Sequence, residues 1–202
     1  MLNLTIAETI RLLSRRMTRF FPLALAVLMI IGGVIAFFVV QIEDDPLSFV
    51  DDIVALGPNG EISVLGPMGF LIPIMAFVIG ASYFGADEKT GMIENLLTWE
   101  PRRLRLVAAR AIGGSLSVFV IAALLSAFLV VVLLVLTTIL DSADGASEVL
   151  GEVALAVIRS GIIGSFFFLI GFGLTLLSNS SIASIVGFLT VSYTHLTLPT
   201  KA

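Results

Sequence analysis

Few residues of this chain have the types and spacing that catalysis or metal binding would need. The 202 residues include no cysteine and a single histidine, His195. They contain no glycine-rich phosphate loop ending in Lys-Ser or Lys-Thr, and no His-Glu-x-x-His metal motif. The sequence therefore predicts a chain that is not an enzyme, has no ATP site of its own, and binds no cofactor or metal itself.

The polar segment 87–103 indicates a different chemistry, the binding of a partner. Four apolar residues in it recur with helical period: Met92, Ile93, Leu96 and Leu97. Gly91 allows a bend before them, and Pro101 ends the helix after them. The apolar face of such a short amphipathic helix needs a partner, and Trp99 suits either lipid headgroups or another protein. The residues alone leave these two partners open.

The rest of the chain indicates what must position this segment. Hydrophobic residues make up 58% of the chain and charged residues 13%, whereas roughly a quarter of a soluble domain is charged. The apolar residues form long runs, and about 20 of them suffice to cross a bilayer. We predict an all-α, polytopic transmembrane helical bundle, with about four complete spans and a truncated fifth. The transmembrane domain covers 20–190, with spans at about 20–42, 66–86, 112–140, 155–177 and 182–190.

Residues 1–19 are predicted to form a cytoplasmic amphipathic helix that lies in the headgroup layer. Its apolar stripe recurs at steps of three and four: Ile6, Ile10, Leu13, Met17 and Phe20. Glu8 and three arginines fall on the opposite, polar side, and Thr5 with Glu8 fits a capping box at the helix start. A plain cytoplasmic extension is the alternative.

The orientation of the predicted spans follows from their loops. The N-terminal segment and the 87–110 stretch hold these basic residues: Arg11, Arg15, Arg16, Arg19, Lys89, Arg102, Arg103, Arg105 and Arg110. The loops after the first and third spans hold acidic residues and neither lysine nor arginine. Positive charge stays inside, so we expect a multi-pass protein with a cytoplasmic N-terminus and a cytoplasmic 87–110 loop.

Inside the spans the sequence offers recurring small residues and one charge. The glycines should let helices approach closely in lipid: Gly32, Gly33, Gly80, Gly85, Gly113, Gly114, Gly161, Gly164, Gly171 and Gly173. Arg159 interrupts the fourth apolar run, which crosses either from about 153 or from about 161. We expect Arg159 to snorkel to the nearer surface or to pair with Glu152, and a place along a transport route is the alternative.

The last residues differ in character from the rest. From Val191 the chain carries threonines, a proline and the histidine, and the string resembles a translated sequencing adapter. We therefore expect 191–202 to be a non-native tail and the native chain to continue beyond Thr190. Tyr193 and His195 then have no functional role.

The segment between the second and third spans resembles that of permease subunits of ABC-2 type exporters. That family has an acidic pair, a glycine, a helix with a glutamate and paired leucines, a proline, and basic residues that lead into the third span. The matching residues here are Asp87, Glu88, Gly91, Glu94, Leu96, Leu97, Pro101, Arg102, Arg103 and Arg110. The N-terminal helix and the serine-rich 178–181 link are similar as well, so the resemblance covers about 1–190.

This resemblance implies a function. A full permease of the family has six spans, pairs with a second permease copy (a homodimer or a heterodimer), and docks on a separate cytoplasmic ABC ATPase that uses the ATP. The short helix at Gly91–Trp99 would be a coupling helix seated on that ATPase, with Glu94 as a polar anchor. Arg102 and Arg103 would hold the loop to the inner leaflet. The expected location is a prokaryotic plasma membrane, and no nucleic-acid partner is expected.

Two other functions stay open on sequence grounds. A non-transporting membrane anchor or assembly protein would tolerate polar residues in the 87–103 loop. A membrane-embedded enzyme would need reactive groups at the bilayer edge, and only loop carboxylates such as Asp51 and Asp52 offer them. The identity of a transported substrate does not follow from the sequence.

Overall fold

The computed structural model describes residues 2–43, 65–89, 103–139 and 146–197. These residues form six helices: α1 (Leu2–Ser14), α2 (Arg16–Glu43), α3 (Leu65–Lys89), α4 (Arg103–Ile139), α5 (Ala146–Ser178) and α6 (Ser181–Thr197). None of the described residues lies in a strand. The all-α class predicted from the sequence is therefore confirmed.

The helix ends differ from the predicted segment ends in instructive ways. The N-terminal helix ends at Ser14, and the chain bends at Arg15 before α2 begins. Helix α5 begins at Ala146 and runs through Arg159 without a break, so the fourth apolar segment is one helix. Helix α6 continues past Thr190 to Thr197, so the change of composition at Val191 does not coincide with its end.

Helix α3 is the central helix of the bundle. Its side chains from 71 to 85 are all buried or partly buried, and it contacts α2, α4, α5 and α6. Its sequence is apolar on every side, which is the pattern of a helix surrounded by others. Its core side chains include Ile72, Ala76, Ile79 and Tyr83.

Helices α3 and α5 run parallel and touch backbone to backbone. A Cβ atom built on Gly80 would lie 2.2 Å from the carbonyl oxygen of Phe168, and one built on Gly171 would lie 2.3 Å from that of Phe77. Since no side chain fits in either gap, only glycine permits this approach. The glycine prediction is thus confirmed at this interface, whereas Gly173 has nothing within 4 Å of a built Cβ atom.

Helices α4 and α5 run antiparallel and add polar contacts to close packing. Ser126 Oγ donates a hydrogen bond to Ser160 Oγ at 2.6 Å. Ser165 Oγ donates to the carbonyl oxygen of Ser115 at 3.0 Å. Between these two bonds, a Cβ atom on Gly164 would lie 3.0 Å from the Cβ atom of Ala122. In an apolar surrounding such bonds fix the register of two helices more than they add free energy.

Among the described residues, two helices are long and apolar enough to cross a membrane. They are Leu104–Val132 in α4 and Ala154–Ser178 in α5. In the most apolar stretch of each helix, only 28% and 33% of the residues are buried, whereas a core helix of a soluble domain is mostly buried. The exposed residues of α4 form a ridge at steps of four: Ile112, Leu116, Val120, Leu124 and Phe128.

Candidate functional site at the ends of helices α3 and α4

The predicted coupling loop lies mostly outside the described residues. Helix α3 ends at Lys89 and α4 begins at Arg103. The residues outside are Gly91, Met92, Ile93, Glu94, Leu96, Leu97, Trp99, Pro101 and Arg102. Asp87 and Glu88 lie in the last turn of α3, and Arg103 is the first residue of α4. What the structure describes is the set of helix ends that carry this loop.

Three buried polar side chains meet where those helix ends come together. They are Glu8 of α1, Tyr83 of α3 and Arg110 of α4, with exposed fractions of 3%, 1% and 1%. Tyr83 Oη donates a hydrogen bond to Glu8 Oε2 at 2.5 Å, and Arg110 Nε lies 3.5 Å from the same oxygen. We call this group the Glu8–Tyr83–Arg110 cluster. It joins α1 to both helices that flank the 90–102 segment.

The charges in this cluster are taken out of water, and this decides their energetics. Moving a carboxylate or a guanidinium from water into the protein interior costs on the order of several kcal/mol, unless an opposite charge and hydrogen bonds replace the lost water. Glu8 receives both, since Arg11 Nη1 also lies 3.6 Å from its Oε1. A buried pair of this kind adds little net stability, yet removing one partner leaves the other charge uncompensated.

Arg15 extends the cluster to the junction of α1 and α2. Its Nη1 donates a hydrogen bond to the carbonyl oxygen of Tyr83 at 3.2 Å. Its guanidinium carbon lies 4.7 Å from the centre of the Tyr83 ring, and that of Arg110 lies 5.8 Å from it. Cations within about 6 Å of an aromatic ring are attracted to its face. Tyr83 is therefore the side chain around which α1, α2 and α4 are arranged.

On helix α1 the apolar side is exposed and the side that carries Glu8 is buried, which is the opposite of a surface helix on a soluble protein. The apolar stripe points outward, with Ile6 49% and Ile10 63% exposed, while Glu8 and Leu12 are buried against the bundle. The predicted apolar stripe is present, and Glu8 lies on the opposite side of the helix, which faces the bundle instead of water. An outward apolar stripe next to apolar helices is the arrangement expected of a helix in a membrane interface.

The predicted capping box is wrong for the same helix. Because α1 already begins at Leu2, Thr5 is not the residue before the first turn, and the Glu8 carboxylate bonds to Tyr83 instead. Thr9 Oγ1 donates to the carbonyl oxygen of Thr5 at 2.9 Å and lies 3.4 Å from that of Gly113. A Cβ atom on Gly113 would lie 3.0 Å from the Thr5 oxygen. Gly113 thus lets α1 lie close against α4.

Sequence reasoning missed Tyr83 and treated Arg110 as a loop cation. Arg110 instead lies in the second turn of α4 and is among the largest fully buried side chains. One signal was available: a charge placed at the edge of an apolar span needs a named partner. The partner itself could not be named, because Glu8 and Arg110 are far apart in sequence.

Within the described residues no group of three or more histidine, cysteine, aspartate or glutamate side chains could hold a metal ion. No protein-family model, no curated protein and no solved structure matches this chain. Any functional conclusion therefore depends on the loop pattern and on the helices that carry it.

Proposed function

We propose that the chain is a membrane-spanning permease subunit of an ATP-driven ABC-2 type exporter. In this proposal it crosses a prokaryotic plasma membrane several times, with its N-terminus in the cytoplasm. It pairs with a second permease copy, forms the substrate pathway, and couples to a separate ATPase through the 87–103 loop. The observation that carries the proposal is the residue pattern of that loop, placed between two helices whose ends are tied together by a buried ion cluster.

The membrane part of the proposal is supported by apolar surface. In the part of the chain that the structure describes, two helices are long and apolar enough to cross a bilayer. Helices α2 and α6 also expose large side chains such as Leu23 at 66% and Ile182 at 64%. Exposed apolar area of this extent is rare on soluble monomers. The outward stripe of α1 fits a helix that rests on the inner surface of the same membrane.

The coupling part is supported by how the loop is attached. A force on the 90–102 segment reaches the bundle through Lys89 and Arg103, the adjoining ends of α3 and α4. The Glu8–Tyr83–Arg110 cluster joins these two helices to α1, and the glycine contacts join α3 to α5. A movement of the loop would therefore displace four helices together, as rigid-body gating requires.

The test measures ATPase stimulation in a complex with the partner. The protein is expressed from its natural gene together with the adjoining genes, among which the proposal expects an ABC ATPase. The variants Leu96→Asp and Leu97→Asp are compared with Leu96→Ile and Leu97→Ile. The aspartate variants should lose co-purification of the ATPase and its stimulation, because a charge cannot enter an apolar cleft, while the isoleucine variants should retain both. Unchanged binding and ATPase rate in the aspartate variants would remove the coupling role. If no ATPase co-purifies with any variant, the anchor or assembly function is favoured.

A further inference from the structure

One charged side chain lies on the apolar outer surface of the bundle. Arg159 of α5 is exposed, and so are its neighbours on the same side, Leu155 at 53%, Ile162 at 57% and Phe166 at 61%. Among the side chains that the structure describes, none forms a hydrogen bond or an ion pair with Arg159. The side chain of Glu152, its predicted partner, lies outside those described. A guanidinium on an apolar helix face needs an anion or water from outside the chain.

The rotation of α5 is fixed so that this side chain points away from the other helices. Ser160, the next residue, accepts the hydrogen bond from Ser126 of α4 at 2.6 Å and donates one to the carbonyl oxygen of Val157 at 2.8 Å. Gly161 packs against the ring of Phe119 in the same interface. With Ser160 and Gly161 turned toward α4, Arg159 faces outward, and this orientation is held by a polar contact.

The depth of Arg159 can be measured from the ion cluster. Because Ser165 pairs with Ser115 and Ser160 with Ser126, the level of Arg110 corresponds to about residue 173 of α5. From there to Arg159 the helix rises roughly 20 Å. If the cluster marks the inner edge of a hydrocarbon layer about 30 Å thick, Arg159 lies about 10 Å from the outer edge. A long basic side chain at such a depth extends toward the headgroups.

We propose that Arg159 and the apolar face around it form a binding site for a phospholipid of the leaflet opposite to α1. The guanidinium would pair with the lipid phosphate through two parallel hydrogen bonds, a geometry that arginine offers and lysine does not. An acyl chain would lie along Ile162 and Phe166. The inference rests on the membrane-spanning part of the proposed function and is independent of the exporter role.

A second copy of the chain is a poorer occupant of the same face. Symmetric dimers bring the same surface patch of each subunit together. An interface of this kind centred on Arg159 would place two guanidinium groups side by side in an apolar surrounding, where like charges repel strongly. The charge thus selects an anionic group, and the phosphate is the anionic group that a bilayer supplies at this depth.

The absence of cysteine from the chain permits a direct test. A bimane label is attached to the variant Leu155→Cys, and the protein is placed in bilayers of phosphate-free galactolipid. Brominated phosphatidylglycerol or brominated galactolipid is then added as a quencher. We expect the phospholipid to be enriched at the label about threefold to fivefold over random mixing, in line with an exposed charge pair, and the galactolipid to mix at random. When Arg159→Gln is combined with the labelled variant, quenching by the brominated phospholipid should fall to the level of random mixing. Arg159→Lys should give intermediate quenching.

Controls separate the possible failures. The same label on Leu116→Cys, at an exposed apolar position of the neighbouring helix α4 (58% exposed) near the level of Ser165, should follow random mixing with both quenchers. Inorganic phosphate should not displace the bound lipid. Equal quenching by the two lipids at the Leu155→Cys position would overturn the site, as would disulfide cross-linking of two copies through it. If neither label is quenched by any brominated lipid, the membrane-spanning part of the proposed function is what fails.

Discussion

The two sides of helix α3 are held in opposite ways. Toward α5, its backbone lies against a neighbouring backbone at Gly80 and Gly171, and the contact needs no polar side chain. Toward α1 and α4, it offers Tyr83 to a buried carboxylate and a buried guanidinium. Packing at the α3–α5 interface depends on the absence of side-chain volume at the two glycines. Packing at the junction with α1 and α4 depends on each buried charge having an opposite charge or a hydrogen bond beside it.

This difference indicates how the bundle would transmit movement. At Gly80 and Gly171 the backbones of α3 and α5 touch directly, with no space for either helix to shift alone. The two helices should therefore move as one rigid body. The polar junction lies at the ends of α3 and α4 that carry the 90–102 segment. Hydrogen bonds weaken steeply when their distance or angle changes. A shift of α1, α3 and α4 relative to one another should therefore weaken this junction more than the apolar interface. Three substitutions, and a double variant that extends the first of them, test this difference between the polar and the apolar interface of α3.

The largest effect is expected from Glu8→Ala. It leaves Arg110 buried without its carboxylate partner, so the free energy of unfolding should fall by about 3–5 kcal/mol. The measurement is reversible unfolding in mixed detergent micelles. Exposed Arg16 supplies the matched control, because Arg16→Gln removes a charge at the surface and should change stability by less than about 0.5 kcal/mol.

A double variant sharpens the same point. If the cost of Glu8→Ala comes from the unpaired charge, Glu8→Leu combined with Arg110→Met should recover most of the lost stability, since apolar side chains of similar size can replace a buried pair. A double variant as unstable as Glu8→Ala alone would mean that the junction is held by its shape.

A smaller loss is expected from Gly171→Ala. The new Cβ atom would lie 2.3 Å from the carbonyl oxygen of Phe77, so α3 and α5 must separate, at a cost of about 1–3 kcal/mol. Gly173→Ala is the matched control on the same helix, because nothing lies within 4 Å of its Cβ position. That variant should be neutral or more stable by about 0.5–1 kcal/mol, the helix preference of alanine over glycine. Equal effects of the two substitutions would contradict close packing.

The smallest effect is expected from Tyr83→Phe. This change removes the hydroxyl that donates to Glu8 and keeps the ring beneath Arg15, so unfolding should become easier by about 1 kcal/mol. Tyr83→Leu removes the ring as well and should cost more, with the added cation–ring loss roughly 0.5–1 kcal/mol. Both are followed by the same unfolding measurement. If Phe and Leu destabilise equally, Arg15 gains nothing from the ring.

Much of the fold could be predicted from the sequence because membrane-type helices have a strong local signal. Apolar runs such as 112–140 are much longer than an average strand or helix, and α4 (to Ile139) and α5 lie over the third and fourth predicted runs. The glycines at 80 and 171 were correctly expected to lie in helix contacts. Helix ends were less predictable. The bend at Arg15 depends on Tyr83, which is distant in sequence.

The candidate site was predicted only as a loop pattern. The residues from Gly91 to Arg102 stay a prediction, since they lie outside the described parts of the chain. Its support was not foreseen: periodicity correctly separated the apolar and polar faces of α1, but it did not show that Glu8 on the polar face is buried against Tyr83 and Arg110. In water the apolar face of a helix is buried, whereas beside lipid the polar face can be the buried one.

The sequence by itself determined the helical class, the position of the apolar segments and the choice of glycine where helix backbones touch, because each depends on residues close together in the chain. Only the tertiary structure decided that Glu8, Tyr83 and Arg110 share one buried cluster, and that Arg159 lies on the outward, apolar face of α5. Such pairings depend on the rotation of each helix about its axis. That rotation is set by contacts between helices, which no single stretch of sequence contains.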